Sequence, residues 1–179
     1  MPETMKILAI SGSLRAASSN TAVLRAAALL APEDVEVALY AGLADLPHFN
    51  PDLDDLDHGI APPPVLDLRA RIQAAGGLLI SSPEYAHGVP GSLKNALDWL
   101  VGSPEIVGKP IALLNASPRA TIAQASLVEI LTTMSTRLIP EASIALPLLG
   151  RRLDAAAIAA DPELAAPLRA AVAAFARVL

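Results

Sequence analysis

Residues 6–20 read Lys6-Ile7-Leu8-Ala9-Ile10-Ser11-Gly12-Ser13-Leu14-Arg15-Ala16-Ala17-Ser18-Ser19-Asn20. A short apolar run breaks into Gly, Ser, Arg and Asn, and an Ala/Leu-rich helical pattern comes at once after it. A buried strand ending in such a loop, with a helix straight after it, gathers unpaired backbone N–H groups and the positive end of the helix dipole at one point. A phosphate placed there satisfies both. Gly12 permits a turn and a close approach that a Cβ obstructs. Ser13, Ser18 and Asn20 offer hydrogen-bond donors, and Arg15 offers a charge-assisted contact. The same residues also suit an ordinary N-cap at Ser18 or Ser19 and a surface arginine at position 15. The loop is not G-x-G-x-x-G and lacks the Gly-Lys-Ser/Thr ending of a P-loop, so a monophosphate fits it better than a triphosphate.

The strand-to-helix pattern recurs along the chain. Strands are expected over Lys6–Ser11, Val35–Tyr40, Leu78–Ser82, Ile111–Asn115 and Ala142–Leu146. Helices are expected over Ser19–Ala31, Val65–Ala75, Ser92–Val101, Thr121–Arg137 and Glu163–Val178. Ile7-Leu8-Ala9-Ile10 and Leu78-Leu79-Ile80 carry no polar alternation, as in parallel strands buried on both faces. The expectation is an α/β, three-layer, doubly wound fold, a single domain over residues 1–179. Ligands of such folds bind outside the carboxyl ends of the strands. The loops after strands one, three and four should therefore share one site. Gly42–Pro64, rich in Asp and Pro, reads as a surface excursion.

Composition narrows the function. The 179 residues are 53% hydrophobic, enough for a sizeable core, but only 3% aromatic. A formal net charge of -5 with no basic run argues against a non-specific nucleic-acid or anionic-membrane binder. Cysteine is absent, which removes disulfides, thiolate metal sites and a cysteine nucleophile. Ile7–Ile10 is too short for a signal-peptide core, and no run approaches a membrane span, so a soluble, cytoplasmic protein is expected. His48, His58 and His87 show no metal-ligand spacing, and the first two are expected to be solvated.

The second informative stretch is Ser81-Ser82-Pro83-Glu84-Tyr85-Ala86-His87-Gly88-Val89-Pro90-Gly91-Ser92-Leu93-Lys94-Asn95-Ala96-Leu97-Asp98-Trp99-Leu100. Two prolines and two glycines restrict the loop. Tyr85 can pack against a flat ring, backbone amides can face a heterocycle, and Glu84 can anchor the loop through amides. His87 can donate to a substrate or titrate near neutral pH; it also suits a plain exposed position. Trp99, the only Trp, reads first as core or subunit-interface packing.

Together these residues resemble the NADPH-dependent FMN reductase family, which has the flavodoxin-like fold and includes quinone, azo-dye and chromate reductases. The match rests on Gly12-Ser13-Leu14-Arg15-x-x-Ser18-x-Asn20, Ser82-Pro83-Glu84-Tyr85 and Gly88-Val89-Pro90-Gly91-x-Leu93-Lys94-Asn95-Ala96-Leu97-Asp98-Trp99. It extends over roughly Lys6 to Ser117 and includes Asp45-Leu46-Pro47-x-Phe49-Asn50. The resemblance implies a five-stranded parallel sheet in order 2-1-3-4-5. It implies that Ser13, Leu14, Arg15, Ser18 and Asn20 hold an FMN phosphate, and that Pro83, Glu84, Tyr85, Ala86 and His87 line the isoalloxazine. Ser117, in Ala116-Ser117-Pro118, matches a third loop at the pyrimidine side. Two positions depart from the pattern. Ala86 stands where the family commonly has Asn, so only a backbone contact can serve there. Arg119 and Ala120 stand where glycine is usual, and Arg119 either crowds the flavin or meets a phosphate of the nicotinamide cofactor.

The resemblance implies an NAD(P)H-dependent, FMN-containing oxidoreductase acting on a quinone-like or other small electron acceptor, as a homodimer or homotetramer. Its chemistry is carried by the flavin, with no catalytic acid, base or metal from the chain. The alternative is a flavodoxin-type electron carrier that docks to protein partners.

Overall fold

The apolar runs become the central strands of a parallel sheet. The computed structural model describes residues 4–148 and 150–179. In chain order the elements are β1 (Met5–Ser11), α1 (Ser19–Leu30), β2 (Val35–Leu39), α2 (Pro63–Ala74), β3 (Gly77–Ser81) and α3 (Gly91–Asp98). They continue with β4 (Pro110–Asn115), α4 (Thr121–Thr133), β5 (Arg137–Leu138), β6 (Ile144–Ala145), α5 (Ala155–Ala160) and α6 (Pro162–Ala176). All pairings are parallel, and the order is β2-β1-β3-β4-β5, with β6 also pairing β4. The β1–β3 register sets Ile10 against Ile80 and Ser11 against Ser81, so both strands end together. That alignment brings the first and third loops side by side.

Alternate residues of each strand enter opposite layers. Ile7, Ala9, Leu79, Ala112 and Leu114 pack under α1, α5 and α6. Leu8, Ile10, Leu78, Ile80 and Leu113 pack under α2, α3 and α4. Full burial of such a side chain is worth about 1.5–3 kcal/mol, so the two layers supply the driving force of a chain short of aromatics.

Three expectations need correction. Helix four stops at Thr133 rather than Arg137. Ser135 takes a left-handed φ of 58°, its N–H bonds the Thr132 carbonyl (2.9 Å), and the Thr136 N–H bonds the Leu131 carbonyl (3.2 Å). That is a Schellman termination with Ser where glycine is usual, and it frees Arg137–Leu138 to pair with β4. The fifth strand, expected over Ala142–Leu146, is two short pieces separated by a 3-10 turn at Pro140–Ala142. Helix α5 was not expected; Asp154 caps it by accepting the Ala157 N–H (2.8 Å).

The excursion after β2 is tied down on its inner side. Arg69, buried on α2, makes paired bonds to the Asp54 carboxylate (2.9 and 2.7 Å) and donates to the Trp99 carbonyl (2.6 Å). Asn95 accepts the Phe49 N–H (2.8 Å) and donates to the Pro47 carbonyl (2.9 Å). Trp99 is fully buried and donates to the same carbonyl, with Phe49 edge-on at 5.0 Å. Core packing is therefore its role. His48 and His58 are exposed, as expected of solvated residues.

Candidate functional site

The first loop folds back on itself before α1 begins. The Ser13 N–H bonds the Ser11 hydroxyl (3.3 Å), the Arg15 N–H bonds the Ser13 hydroxyl (3.4 Å), and the Thr21 hydroxyl donates to Ser11 (2.9 Å). Ser18 is the N-cap, accepting the Thr21 N–H (3.3 Å). A hydroxyl that accepts keeps its own proton to donate, so the cap and an anion contact are compatible. The N–H groups of Ser19 and Asn20 have no acceptor among the described residues, as the first turn of a helix dictates. Asn20 is buried, and its carbonyl oxygen accepts the Ser81 hydroxyl (3.0 Å), which leaves its NH2 as the group to face a ligand. Gly12 is required by close approach: a Cβ there would lie 2.8 Å from Ser82 Oγ and 3.1 Å from Leu93 Cδ2. Its small size lets the first and third loops touch.

The third-strand loop is anchored by Glu84. One carboxylate oxygen accepts the Ala123 N–H of α4 (2.9 Å), and the other meets His87 Nδ1 (3.1 Å). Ala120, the N-cap residue of α4, offers no side-chain cap, so Glu84 caps that helix from another loop. These bonds, the Ala123 amide first and His87 after it, hold the Glu84 pKa below its ordinary 4.5. A depressed carboxylate pKa contributes stability that is present above the unfolded value and lost as pH falls through the folded one. Glu84→Gln keeps an acceptor but removes the charge. We therefore expect its thermal midpoint to lie below that of the parent near neutral pH, and the gap to close on acidification; a gap independent of pH would contradict the ionised cap.

Beyond Glu84, Tyr85 and Gly88 exchange both backbone hydrogen bonds (3.1 and 2.9 Å) around Ala86 and His87, whose φ values are 49° and 59°. Two consecutive positive φ values define a type I′ turn, in which Gly or Asn is the usual occupant. Alanine in the left-handed region costs about 1–2 kcal/mol, while a new glycine adds about 0.4–1 kcal/mol of unfolded-chain entropy. Ala86→Gly should thus stabilise the protein by roughly 0.5–1 kcal/mol in chemical denaturation. A loss of stability would exclude the turn. The amides of Ala86 and His87 have no acceptor among the described residues, and Tyr85 is 52% exposed beside them.

The fourth-strand loop is set by buried Asn115, which accepts the Ser117 N–H (2.9 Å); the Ser117 hydroxyl accepts the Arg119 N–H (3.4 Å). These loops border a cleft of about 1190 Å³ at the carboxyl ends of β1, β3 and β4. Arg15, Ser18, Asn20, Pro83, Glu84 and Ser117 line it. Ser13, Leu14, Tyr85, Ala86 and His87 do not: Ser13 is buried under the loop, Leu14 is exposed, and the other three form the neighbouring turn. Arg119 also lines the cleft.

One wall was not anticipated. Leu148, Gly150, Arg151, Arg152, Leu153 and Asp154 face α1 across the cleft. Arg151 pairs with Asp161 (2.6 Å), the N-cap of α6, which fixes this segment. The signal was Asp154 followed by an alanine run and then Asp161-Pro162, a short capped helix whose preceding loop must lie at the same end of the sheet as the other strand ends.

The sequence model of the NADPH-dependent FMN reductase family matches residues 5–148. An NAD(P)H-dependent FMN reductase of Pseudomonas aeruginosa is 42% identical over 119 residues, covering 65% of this chain and 62% of that protein. A quinone reductase of Escherichia coli is 37% identical over the same length, with the same shares. The aligned region thus spans less than two thirds of these curated relatives. Among solved structures, the flavoenzyme NAD(P)H:(acceptor) oxidoreductase of Paracoccus denitrificans superposes with a TM-score of 0.78 at 34% identity, covering 97% of this chain and 96% of that one. A flavodoxin of Bacillus cereus, TM-score 0.62 at 14% identity, shows the shared fold alone.

Proposed function

The chain belongs to the NADPH-dependent FMN reductase family, and from that premise we propose that it binds FMN in the cleft and passes reducing equivalents from NAD(P)H to a quinone-like or other small acceptor. The observation that carries this reading is the donor set at the first loop. The Ser19 and Asn20 amides, the Arg15 guanidinium and the Asn20 NH2 converge without acceptors among the described residues. A monophosphate ester satisfies them.

On the turn that neighbours the cleft without lining it, the free amides of Ala86 and His87 and the exposed ring of Tyr85 suit the polar edge and flat face of a fused heterocycle that extends past Pro83 and Glu84. The flavin, when bound, supplies the hydride chemistry. The chain's part is to anchor, orient and shield. Ser18 and Asn20 hold the phosphate end, Glu84 fixes the turn against α4, and the Ser117 loop closes the side. A nicotinamide and then an acceptor would use the same open face in turn; the hydride step needs no acid or base from the protein, and the proton that completes reduction of a quinone is taken from solvent.

The names of the relatives support a quinone as one acceptor class. Exposed Val101, Ile122 and Val128, after α3 and on α4, support assembly as a homodimer or homotetramer. A cysteine-free sequence supports a reducing, cytoplasmic compartment. Among the described residues, no helix is long and apolar enough to cross a membrane.

The test is steady-state oxidation of NADPH and NADH by the FMN-loaded protein with a soluble benzoquinone. Turnover that requires both FMN and quinone is expected. Failure to consume either nucleotide, with reduction only by a reductase protein, would make the chain an electron carrier.

A further inference from the structure

The cleft is larger and more basic than one FMN requires. Ligand sites usually occupy about 300–1,000 Å³, and this one measures about 1190 Å³. Arg15, Arg25, Arg119, Arg151 and Arg152 line it, against Glu84 and Asp154. Both carboxylates are engaged, Glu84 by Ala123 and His87 and Asp154 by the α5 cap. Arg151 is paired with Asp161. The guanidinium groups of Arg15, Arg25, Arg119 and Arg152 have no partner among the described residues.

Their placement separates two anion positions. Ser18, Ala22, Arg25 and Leu29 line the cleft, and their spacing of four, three and four puts them in one stripe along α1. Arg25 lies seven residues beyond the cap, about 10 Å down the helix axis. The first-turn amides of α1 and the Arg25 backbone thus sit about two turns apart, which leaves room for a second anion beside Arg25. Across from the stripe stand Arg152, Leu153 and Ala156. Leu29 is 63% exposed, and Leu153 is partly buried. This half of the cleft combines guanidinium groups on both walls with an apolar strip, the chemistry that suits a sugar phosphate with a flat aromatic base beside it.

We propose that Arg25 and Arg152 form a second anion subsite, which takes the adenosine 2′-phosphate of NADPH and sets the preference for NADPH over NADH. This rests on the reductase reading of the cleft. NADH lacks that phosphate and leaves the pair unused. Arg15 remains with the flavin phosphate.

The experiment compares Arg25→Gln, Arg152→Gln and the double variant with the parent as FMN-loaded proteins. Each single change should raise KM for NADPH about 10- to 100-fold, the scale of a lost charge-assisted hydrogen bond. The kinetics with NADH and the visible flavin absorbance should stay the same. Arg25→Lys and Arg152→Lys should recover part of the loss, since charge survives without the guanidinium fork. A second readout needs no turnover: calorimetric titration with 2′,5′-ADP and with 5′-AMP. The parent should bind 2′,5′-ADP the more tightly, and the double variant should bind the two alike. Equal binding of both by the parent, or an unchanged preference in the double variant, overturns the subsite. So does loss of FMN from the variants, which would place these arginines on the flavin phosphate while leaving the cofactor assignment standing. If the loaded parent oxidises neither nucleotide, the reductase reading fails, and the titration still decides the subsite.

Discussion

Replacing Arg15 with alanine is expected to weaken FMN binding by about 1.5–3 kcal/mol, roughly 10- to 150-fold in Kd. Arg15 is exposed, lines the cleft beside the start of α1, and has no side-chain partner among the described residues. Its removal therefore leaves no protein group unsatisfied, and the stability of the flavin-free protein should change by no more than about 0.5 kcal/mol. The loss should appear in the bound state alone. Arg15→Lys should fall between the two, because an ammonium supplies charge without the planar fork. Titration of flavin fluorescence against the apoprotein measures all three. An Arg15→Ala protein that binds FMN like the parent would remove this residue from the phosphate site.

The largest effect on stability is expected at Trp99. Trp99→Ala should cost about 3–5 kcal/mol, the range of a large aromatic removed from a core. The side chain is 0% exposed, donates to the Pro47 carbonyl and carries Phe49 on its edge. The cavity would open where the excursion joins α3, and Arg69 and Asn95 would then hold that excursion without its apolar centre. Trp99→Phe separates packing from hydrogen bonding. It keeps most of the volume, and the Pro47 carbonyl still has the Asn95 NH2, so a loss of about 1 kcal/mol is expected. Chemical denaturation followed by circular dichroism measures both. Equal costs for the two variants would place the stabilisation in the indole N–H rather than in packing.

The legible parts of the fold are those with one dominant local signal. Strands β1, β3 and β4 are apolar runs between loops, and doubly wound packing hides both of their faces, whereas β2, at the sheet edge, alternates and leaves Glu36 and Ala38 exposed. The end of α4 was illegible because Ser135 takes the place of a C′ glycine, and a serine carries no such message. The fifth strand was blurred because Pro140 interrupts it, leaving Arg137–Leu138 and Ile144–Ala145 each too short to show a period. Helix α5, six residues long, fell below the length at which periodicity can be read.

The candidate site divides in the same way. Arg15, Ser18 and Asn20 were readable as polar residues that follow a buried strand at a helix start, Glu84 as an anchor among loop amides, and Ser117 through the family resemblance; all five line the cleft. The role of Asn20 toward Ser81, and that of Gly12 toward Ser82, depend on β1–β3 register and emerge only in three dimensions. The same holds for Glu84, whose helix partner lies 39 residues away. Arg25 and Arg152 belong to elements that look like ordinary surface until α1 and the segment before α5 are seen to face one another.

The most direct test of the cofactor assignment is the visible absorption spectrum of the purified protein after incubation with FMN and removal of free flavin by gel filtration. The bands of oxidised flavin should travel with the protein in equimolar amount, together with a raised thermal midpoint. A colourless protein with an unshifted midpoint would contradict the assignment of the cleft to FMN.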